Sequence, residues 1–429
     1  MPSGWSTAGW ACPPRRDEPV GNPRRSRGEP VTDSVTDGPG NPFRPELEAL
    51  EQNGITKLAF PRMDDPDVIP LWFGEGDMAT PAFIREAAMR ALDEGDTFYT
   101  HTRGRPELRT AIKHYLDALY GIDVDPDRIS VPGSAMLGIT IAVQMVASPG
   151  SRGLIVSPNW PNIETAFRVA GVEVDFIRQR ETPGGWTLDA AEIIAAVQPE
   201  TRAIFVNSPC NPTGWMMPRE DQRELLAFCR ERGVLLIADE VYHRTVYEAR
   251  VAPSFLELAG DADPMIVVNG FSKAWAMTGW RIGWVVAPKR HAVQWALLSE
   301  CFNTGATVFG QQGAIAALEN GEGAIASLQQ RYQENRARVI QAFSNHSEIE
   351  LTAPTGAFYA FPRVPAIQSS WDFAQALLDE TNVGVSPGYT FGPGNDQHFR
   401  LCFAQSERPL QSGLERILDF LDRGRHRKT

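Results

Sequence analysis

Four short, wholly apolar runs constrain the fold most: Leu154-Ile155-Val156, Ala203-Ile204-Phe205-Val206, Val234-Leu235-Leu236-Ile237-Ala238 and Met265-Ile266-Val267-Val268. They are too short for core helices, and they lack the polar alternation of a strand with one wet face. Such runs suit strands buried on both sides of a mostly parallel sheet. Amphipathic stretches lie among them, at Asn162 to Ala170, Asp189 to Val197 and Glu220 to Arg232. This rhythm predicts an α/β fold in which helices cover the sheet. After about residue 290 it changes. A long helix is expected near Gly323 to Ser344, short strands near 349–361 and 398–403, and a last helix over 408–423. That segment reads as α+β.

Residues 1 to about 44 are rich in Pro, Gly, Ser and Arg and have no apolar period, so they are expected to be a disordered tail. A mis-assigned start codon explains them equally well. The domain reading is therefore a tail over 1–44, an N-terminal arm or part of a small domain over 45–72, a large domain over 73–295 and a small domain over 296–429. The balance of 41 basic and 53 acidic residues leaves a net charge of −12. That argues against a nucleic-acid partner, which would show as a basic face. Cys12, Cys210, Cys229, Cys301 and Cys402 are scattered and form no C-x-x-C. No disulfide framework or metal site is expected, and a reducing cytoplasm fits. No apolar run is long enough for a membrane span.

The chemistry concentrates in Phe271-Ser272-Lys273-Ala274-Trp275-Ala276-Met277-Thr278-Gly279-Trp280-Arg281-Ile282-Gly283-Trp284. A lone lysine is ordinarily a solvated surface residue. Lys273 instead follows a buried strand, among small and aromatic neighbours, with a fixed cation eight residues on at Arg281. Desolvation and a nearby cation both lower a lysine pKa, which suits an amine that attacks a carbonyl. Asp239-Glu240-Val241-Tyr242 ends another buried run and offers a carboxylate that can pair with a ring nitrogen. A helix cap with a core tyrosine explains that motif as well. Asn207-Ser208-Pro209-Cys210-Asn211-Pro212-Thr213-Gly214 is a sharp strand-to-helix turn. Val131-Pro132-Gly133-Ser134-Ala135-Met136 opens a helix whose N-terminus can take a phosphate. Gly74-Glu75-Gly76-Asp77-Met78-Ala79 fits the dinucleotide pattern G-x-G-x-x-A. However, Pro70 interrupts the preceding strand, and Thr80-Pro81 reads as an ordinary helix start.

Taken in order, the pieces N-x-P-x-N-P-T-G, D-E-x-Y and S-K-x-x-x-x-T-G-x-R-x-G resemble the class I/II aminotransferase family of fold-type I pyridoxal-phosphate enzymes. The spacings agree: 28 residues separate Asn211 from Asp239, and 34 separate Asp239 from Lys273. The resemblance covers roughly residues 65 to 423. It implies a large domain with a mostly parallel sheet flanked by helices and a smaller α+β domain. It further implies that Lys273 carries the cofactor as a Schiff base and acts as general base, and that Asp239 pairs with the ring nitrogen. Asn211 and Tyr242 would bond the ring 3-oxygen, and Trp160 would stack on the ring. Gly133, Ser134, Ser272 and Arg281 match phosphate-binding positions, with a backbone contact from Ala135. Arg400 matches the arginine that clamps the substrate α-carboxylate, and Gly74 a glycine whose backbone meets the same group. Tyr99 matches a tyrosine that reaches the neighbouring subunit's phosphate, so a homodimer with shared sites is implied.

The implied activity is amino transfer between an α-amino acid and a 2-oxo acid. Two alternatives stand beside it. One is a C–S β-lyase on the same scaffold, suggested by the stretches around Val68 to Phe73 and Asp77 to Pro81. The other is a non-enzymatic regulator with this fold, which would need a DNA-binding module that the first 44 residues are too short to supply. Substrate side-chain specificity has two readings. Arg103 or Arg105, with His101 beside them, meets a distal carboxylate, or Trp72, Phe73, Trp160 and Trp275 line an apolar pocket. For the two arginines, a surface or dimer-contact role is the simpler expectation. Asn303 and Thr304 fall near the rim.

Overall fold

The apolar runs do form the centre of a sheet. In the computed structural model, which describes residues 44–48 and 50–424, seven strands build it. These are β1 (Ile129–Gly133), β2 (Arg152–Ser157), β3 (Glu173–Arg178), β4 (Thr201–Asn207), β5 (Leu235–Asp239), β6 (Met265–Gly270) and β7 (Gly283–Val286). Their spatial order is β1-β7-β6-β5-β4-β2-β3. The pairings among β2 to β6 are parallel, whereas β7 runs antiparallel to both β1 and β6. The tail expected over 1–44 falls, but for Arg44, outside the described residues. The contacts of the fold run from Pro45 onward.

Alternation explains why the strands are apolar throughout. Leu154, Val156, Ile204, Val206, Leu236, Ala238 and Val267 pack into one core. Their neighbours Ile155, Phe205, Ile237, Ile266 and Val268 pack into a second core with Ile139, Ile163 and Phe167. Successive side chains point to opposite faces, so a sheet covered on both sides needs apolar residues at every position. Helix Ala135–Val146 covers the second face, with Ile139, Ile141, Ala142 and Val143 buried. Helix Arg219–Arg232 ends at Gly233 with φ 65°, the left-handed closure that glycine adopts without penalty.

The register brings the chemistry-bearing strand ends level. Asn207 lies opposite Asp239, Asp239 opposite Val268, and Gly283 opposite both Gly270 and Gly133. The carboxyl ends of parallel strands are where such sheets bind ligands. A separate antiparallel sheet joins Tyr359–Ala360, Phe399–Cys402 and Ser386–Pro387, with Arg400 paired to Ser386. The dinucleotide-like stretch belongs to neither sheet. Ile69–Pro70 pairs only with Val383–Gly384, and the next helix starts at Ala82. No βαβ unit surrounds those glycines.

Candidate active site

A cavity of about 510 Å³ opens above the ends of β4, β5 and β6. Its wall includes Gly74, Ala135, Trp160, Asn211, Asp239, Tyr242, Ser272, Lys273, Arg281 and Arg400. Ten of the positions singled out in the sequence, from distant parts of the chain, thus share one space. The strand ends explain how. β5 delivers Asp239 as its last residue, β4 delivers Asn207, and β6 ends at Gly270 directly before the short helix Phe271–Ala274 that carries Lys273.

Lys273 Nζ donates to the Gly74 carbonyl at 2.6 Å and lies 5.7 Å and 5.8 Å from the ring centres of Tyr242 and Phe358. Burial pushes its amine down to about 8, and Arg400 and Arg281 add repulsion. Asp239 is held in the opposite sense. Burial raises its carboxyl to about 7, against the pull of the Val241 N–H and of Lys273. Val241 N–H donates to Oδ1 at 3.2 Å. Asn207 fixes the surrounding backbone: its amide donates to the Asp239 carbonyl at 3.0 Å and its Oδ1 accepts from the Asn211 N–H at 2.7 Å.

Arg400 is 2% exposed and lies between two aromatic rings, with its guanidinium carbon 4.5 Å from the Tyr359 ring centre and 4.9 Å from that of Phe391. It donates to Asn211 Oδ1 at 2.9 Å, to Ser386 Oγ at 3.0 Å and to the Trp72 carbonyl. Its Nε is buried with no partner among the described residues. Tyr242 and Tyr359 hydroxyls are 2.7 Å apart, and burial pushes both phenols up.

One end of the cavity is built on helix Ala135–Val146. Ser134 caps it, accepting from the Leu137 N–H at 3.1 Å. Ala135 and Met136 line the cavity, directly preceded by Gly133, at φ 115°, and Ser134. The first N–H groups of a helix lack intrahelical partners and attract anions. Arg281, exposed and at φ 55°, stands at the same cavity and donates to the Thr278 carbonyl at 2.7 Å.

Other singled-out residues lie elsewhere. Tyr99 is 93% exposed and lies in a separate cleft with Asn303, Thr304 and Phe309. Asn303 also donates to the Pro132 carbonyl at 2.8 Å, beneath Gly133. Arg103 is buried and bonds the Asp127 carbonyl at 2.7 Å and its carboxylate at 3.4 Å, and Arg105 pairs with Asp96 at 2.5 Å. His101 Nδ1 accepts from the Arg103 N–H. Phe73 and Trp160 line the cavity. The Trp72 and Trp275 rings are fully buried, and Trp275 packs on Phe271 and Tyr115.

Sequence reasoning missed Tyr359, Asn207, Asn53, Ile55, Thr56 and Asn162, all lining residues. Asn207, which opens the quoted N-x-P-x-N-P-T-G motif, and Asn162, two residues past Trp160 in the same quoted turn, had a local signal. Tyr359, Asn53, Ile55 and Thr56 reach the cavity only through tertiary packing.

The residues fit a phosphorylated pyridine aldehyde. They offer an amine near neutrality, a buried carboxyl, an indole wall and a helix N-terminus around one space. Comparison with known proteins agrees. The family model for aminotransferase class I and II matches residues 66–417, and that family is one of pyridoxal-phosphate enzymes. The chain is 34% identical to the bifunctional aspartate aminotransferase and glutamate/aspartate-prephenate aminotransferase of Petunia hybrida, over 82% of this chain and 76% of that protein. An aspartate aminotransferase structure from Thermotoga maritima superposes with a TM-score of 0.81 at 29% identity, covering 89% of this chain and all of the other. An aromatic aminotransferase structure from Pyrococcus horikoshii gives 0.79 at 32%, covering 86% of this chain and all of the other.

Proposed function

The chain belongs to the class I and II aminotransferase family and is an aminotransferase, and from that premise we propose that it binds pyridoxal 5'-phosphate in the cavity above β5 and β6, with Lys273 as the attachment point. The observation that carries this reading is the convergence of Lys273, Asp239 and Arg400 on one cavity. When bound, the cofactor supplies an aldehyde carbon for amines and a cationic ring that accepts the electron pair of a breaking Cα–H bond.

The protein's own residues do the rest. Lys273 Nζ, lowered to about 8, is unprotonated often enough near neutral pH to attack as a nucleophile and to take the donor's α-proton as a general base. Asp239 holds a proton at the ring nitrogen's position, and burial keeps that proton from being lost to water. Asn211 and Tyr242 bind the ring hydroxyl position, while Trp160 stacks on the ring. The helix end at Ala135, with Ser134, Ser272 and Arg281, receives the phosphate. Arg400 orients the donor's α-carboxylate by a charge-assisted fork, with Gly74 opposite. Gly74 has no room for a side chain, since an added Cβ would strike the Tyr359 hydroxyl.

The relatives differ in the substrates they are named for, aspartate, glutamate and prephenate in one case and aromatic substrates in another. The reaction class is common to them and the donor is not. The relatives just named are all aminotransferases, and none supports the lyase reading. The proposal extends to a division into domains over 73–295 and 296–429, and to a homodimer in which Tyr99 serves the partner's site. The free thiols of Cys210, Cys229, Cys301 and Cys402 support a reducing, cytoplasmic setting. Among the described residues no helix is long and apolar enough to cross a membrane.

The deciding experiment is borohydride reduction of the pyridoxal-phosphate-loaded protein followed by peptide mass spectrometry. The cofactor mass is expected on Lys273 and absent in Lys273→Ala. Labelling of another lysine, or 2-oxo-acid-dependent amino transfer undiminished in Lys273→Ala, overturns the assignment.

A further inference from the structure

The cavity's charged groups are few, and the reading above uses all of them. Among the described lining residues the cations are Lys273, Arg281 and Arg400, and the only carboxylate is Asp239. The attachment point, the phosphate, the α-carboxylate and the ring nitrogen account for these four. Among the described lining residues nothing charged remains for a donor's side chain. The two arginines that the sequence offered for a distal carboxylate are committed elsewhere, Arg103 to Asp127 and Arg105 to Asp96. If a second copy completes the rim with its Tyr99 loop, its own Arg103 and Arg105 arrive equally paired.

What remains of the wall is neutral. Asn53 Nδ2 donates to Asn162 Oδ1 at 3.2 Å, joining the N-cap of helix Gly54–Ala59 to the start of helix Asn162–Val169. Ile55, Thr56 and Phe73 complete this side. Its position relative to Arg400 follows from the short helix Gly388–Phe391. Phe391 packs on the Arg400 guanidinium, while Tyr389 abuts Gly54. The amide pair therefore belongs to the Arg400 side of the cavity, where a donor's side chain extends, and not to the helix end that takes the phosphate.

We propose that this wall, with the Asn53–Asn162 pair as its polar element, selects amino donors with uncharged side chains and disfavours both dicarboxylic and cationic ones. The proposal rests on the aminotransferase reading. Physically, a side-chain carboxylate brought here loses its water and meets no cation, which is unfavourable unless it is paired. An apolar or amide side chain meets Ile55, Phe73 and two amides and brings no charge that needs a partner.

Two measurements on the cofactor-loaded protein test it. The first is kcat/KM for leucine, methionine, phenylalanine and glutamine against aspartate, glutamate and lysine, with one fixed 2-oxo acid. At least one uncharged donor is expected to exceed every charged donor by about tenfold to a hundredfold, the range that pocket contacts supply. The second is equilibrium binding, read by the absorbance of the bound cofactor, of 4-methylpentanoate and succinate, two unreactive acids that engage Arg400 alike. The monocarboxylate is expected to bind at least as tightly. An Asn162→Arg substitution is expected to raise the aspartate-to-leucine ratio of kcat/KM mainly by lowering the KM for aspartate. Aspartate or glutamate as the best donor, or tenfold tighter succinate, overturns the specificity and leaves amino transfer intact. Failure of every donor to pass its amino group to any 2-oxo acid overturns the reaction class, and the specificity falls with it.

Discussion

Adjacent carboxyls at the end of β5 are both buried, yet they meet different surroundings. Glu240 accepts from Ser254 Oγ at 2.6 Å and from the Phe255 N–H at 2.9 Å, away from the cavity, whereas Asp239 lines it. Of the D-E-x-Y motif, then, the glutamate ties a loop to the strand and the aspartate faces the cavity. The sequence could offer both a structural and a chemical reading of this motif because each carboxyl follows one of them. The raised Asp239 pKa leads to a stability prediction. A carboxyl at 3.8 in the unfolded chain and about 7 in the fold binds its proton more tightly when folded. Its contribution is fully present below about pH 4, is lost as pH rises to 7, and stays lost above. Asp239→Asn removes that loss at about 1.4 kcal/mol per pH unit, summing to about 4 kcal/mol over the roughly three units between the two values. Cofactor-free Asp239→Asn protein is therefore expected to resist urea better than the parent at pH 8, with the gap closing toward pH 4, and to transaminate poorly. Equal midpoints at pH 8 contradict the assignment. The stability is given up at the residue the chemistry needs, as functional sites commonly do.

Elements carry the site through their ends, and the junction of β7 with helix Ala135–Val146 is the tightest. A Cβ on Gly283 would lie 2.5 Å from the Ala135 nitrogen and 2.8 Å from the Asn269 carbonyl oxygen, both backbone atoms that cannot turn aside. Gly283 closes the S-K-x-x-x-x-T-G-x-R-x-G motif because the N-terminus of helix Ala135–Val146, the end proposed to take the phosphate, is pressed against it. Gly283→Ala is expected to weaken pyridoxal-phosphate binding about tenfold or more and to destabilise the fold by about 1–3 kcal/mol, the usual range for overpacking. Gly279→Ala, four residues earlier with open space around it, is the matched control and is expected to change neither. Fluorescence titration with the cofactor and urea melts read both outcomes. At this scale legibility followed burial. The central strands were plain from their unbroken apolar runs, and the helices at 162, 219 and 322 from their period. Three outer strands were not. β1 contains Pro132, β3 is a half-buried edge strand (Glu-Val-Asp-Phe-Ile-Arg), and β7 is four residues long and hidden in a motif read for its chemistry. In the later segment, where strands were expected over 349–361, only Tyr359–Ala360 qualifies, with Glu350 bridging singly to Arg363. Tyr359 and Asn53 reach the cavity from opposite ends of the chain, a proximity that no local pattern encodes.

At the scale of the whole molecule, one surface is unlike the rest. Phe98 and Tyr99 stand exposed beside a cleft whose other wall runs from Asn303 to Phe309. Helix Ala292–Asn303, which leads into that wall, exposes Val293, Leu297 and Phe302. Clustered exposed apolar side chains mark an association surface more often than a free one, and closed two-fold dimers are the commonest way such surfaces are covered. Tyr99 does not reach the cavity of its own chain, so the shared-site homodimer carries a precise expectation. A site needs Lys273 from one subunit and Tyr99 from the other. Lys273→Ala protein and Tyr99→Ala protein, each weak or inactive alone, are then mixed and allowed to exchange subunits. Each hybrid dimer holds one site that lacks both residues and one that lacks neither. Since random exchange makes half of the dimers hybrids, activity should rise to about a quarter of the parent's. If Tyr99 served its own subunit, every hybrid site would lack one residue or the other, and mixing would give only the average of the two variants. Sedimentation of the mixture before and after exchange checks that dimers are present, so an absence of rescue in a dimeric sample counts directly against shared sites.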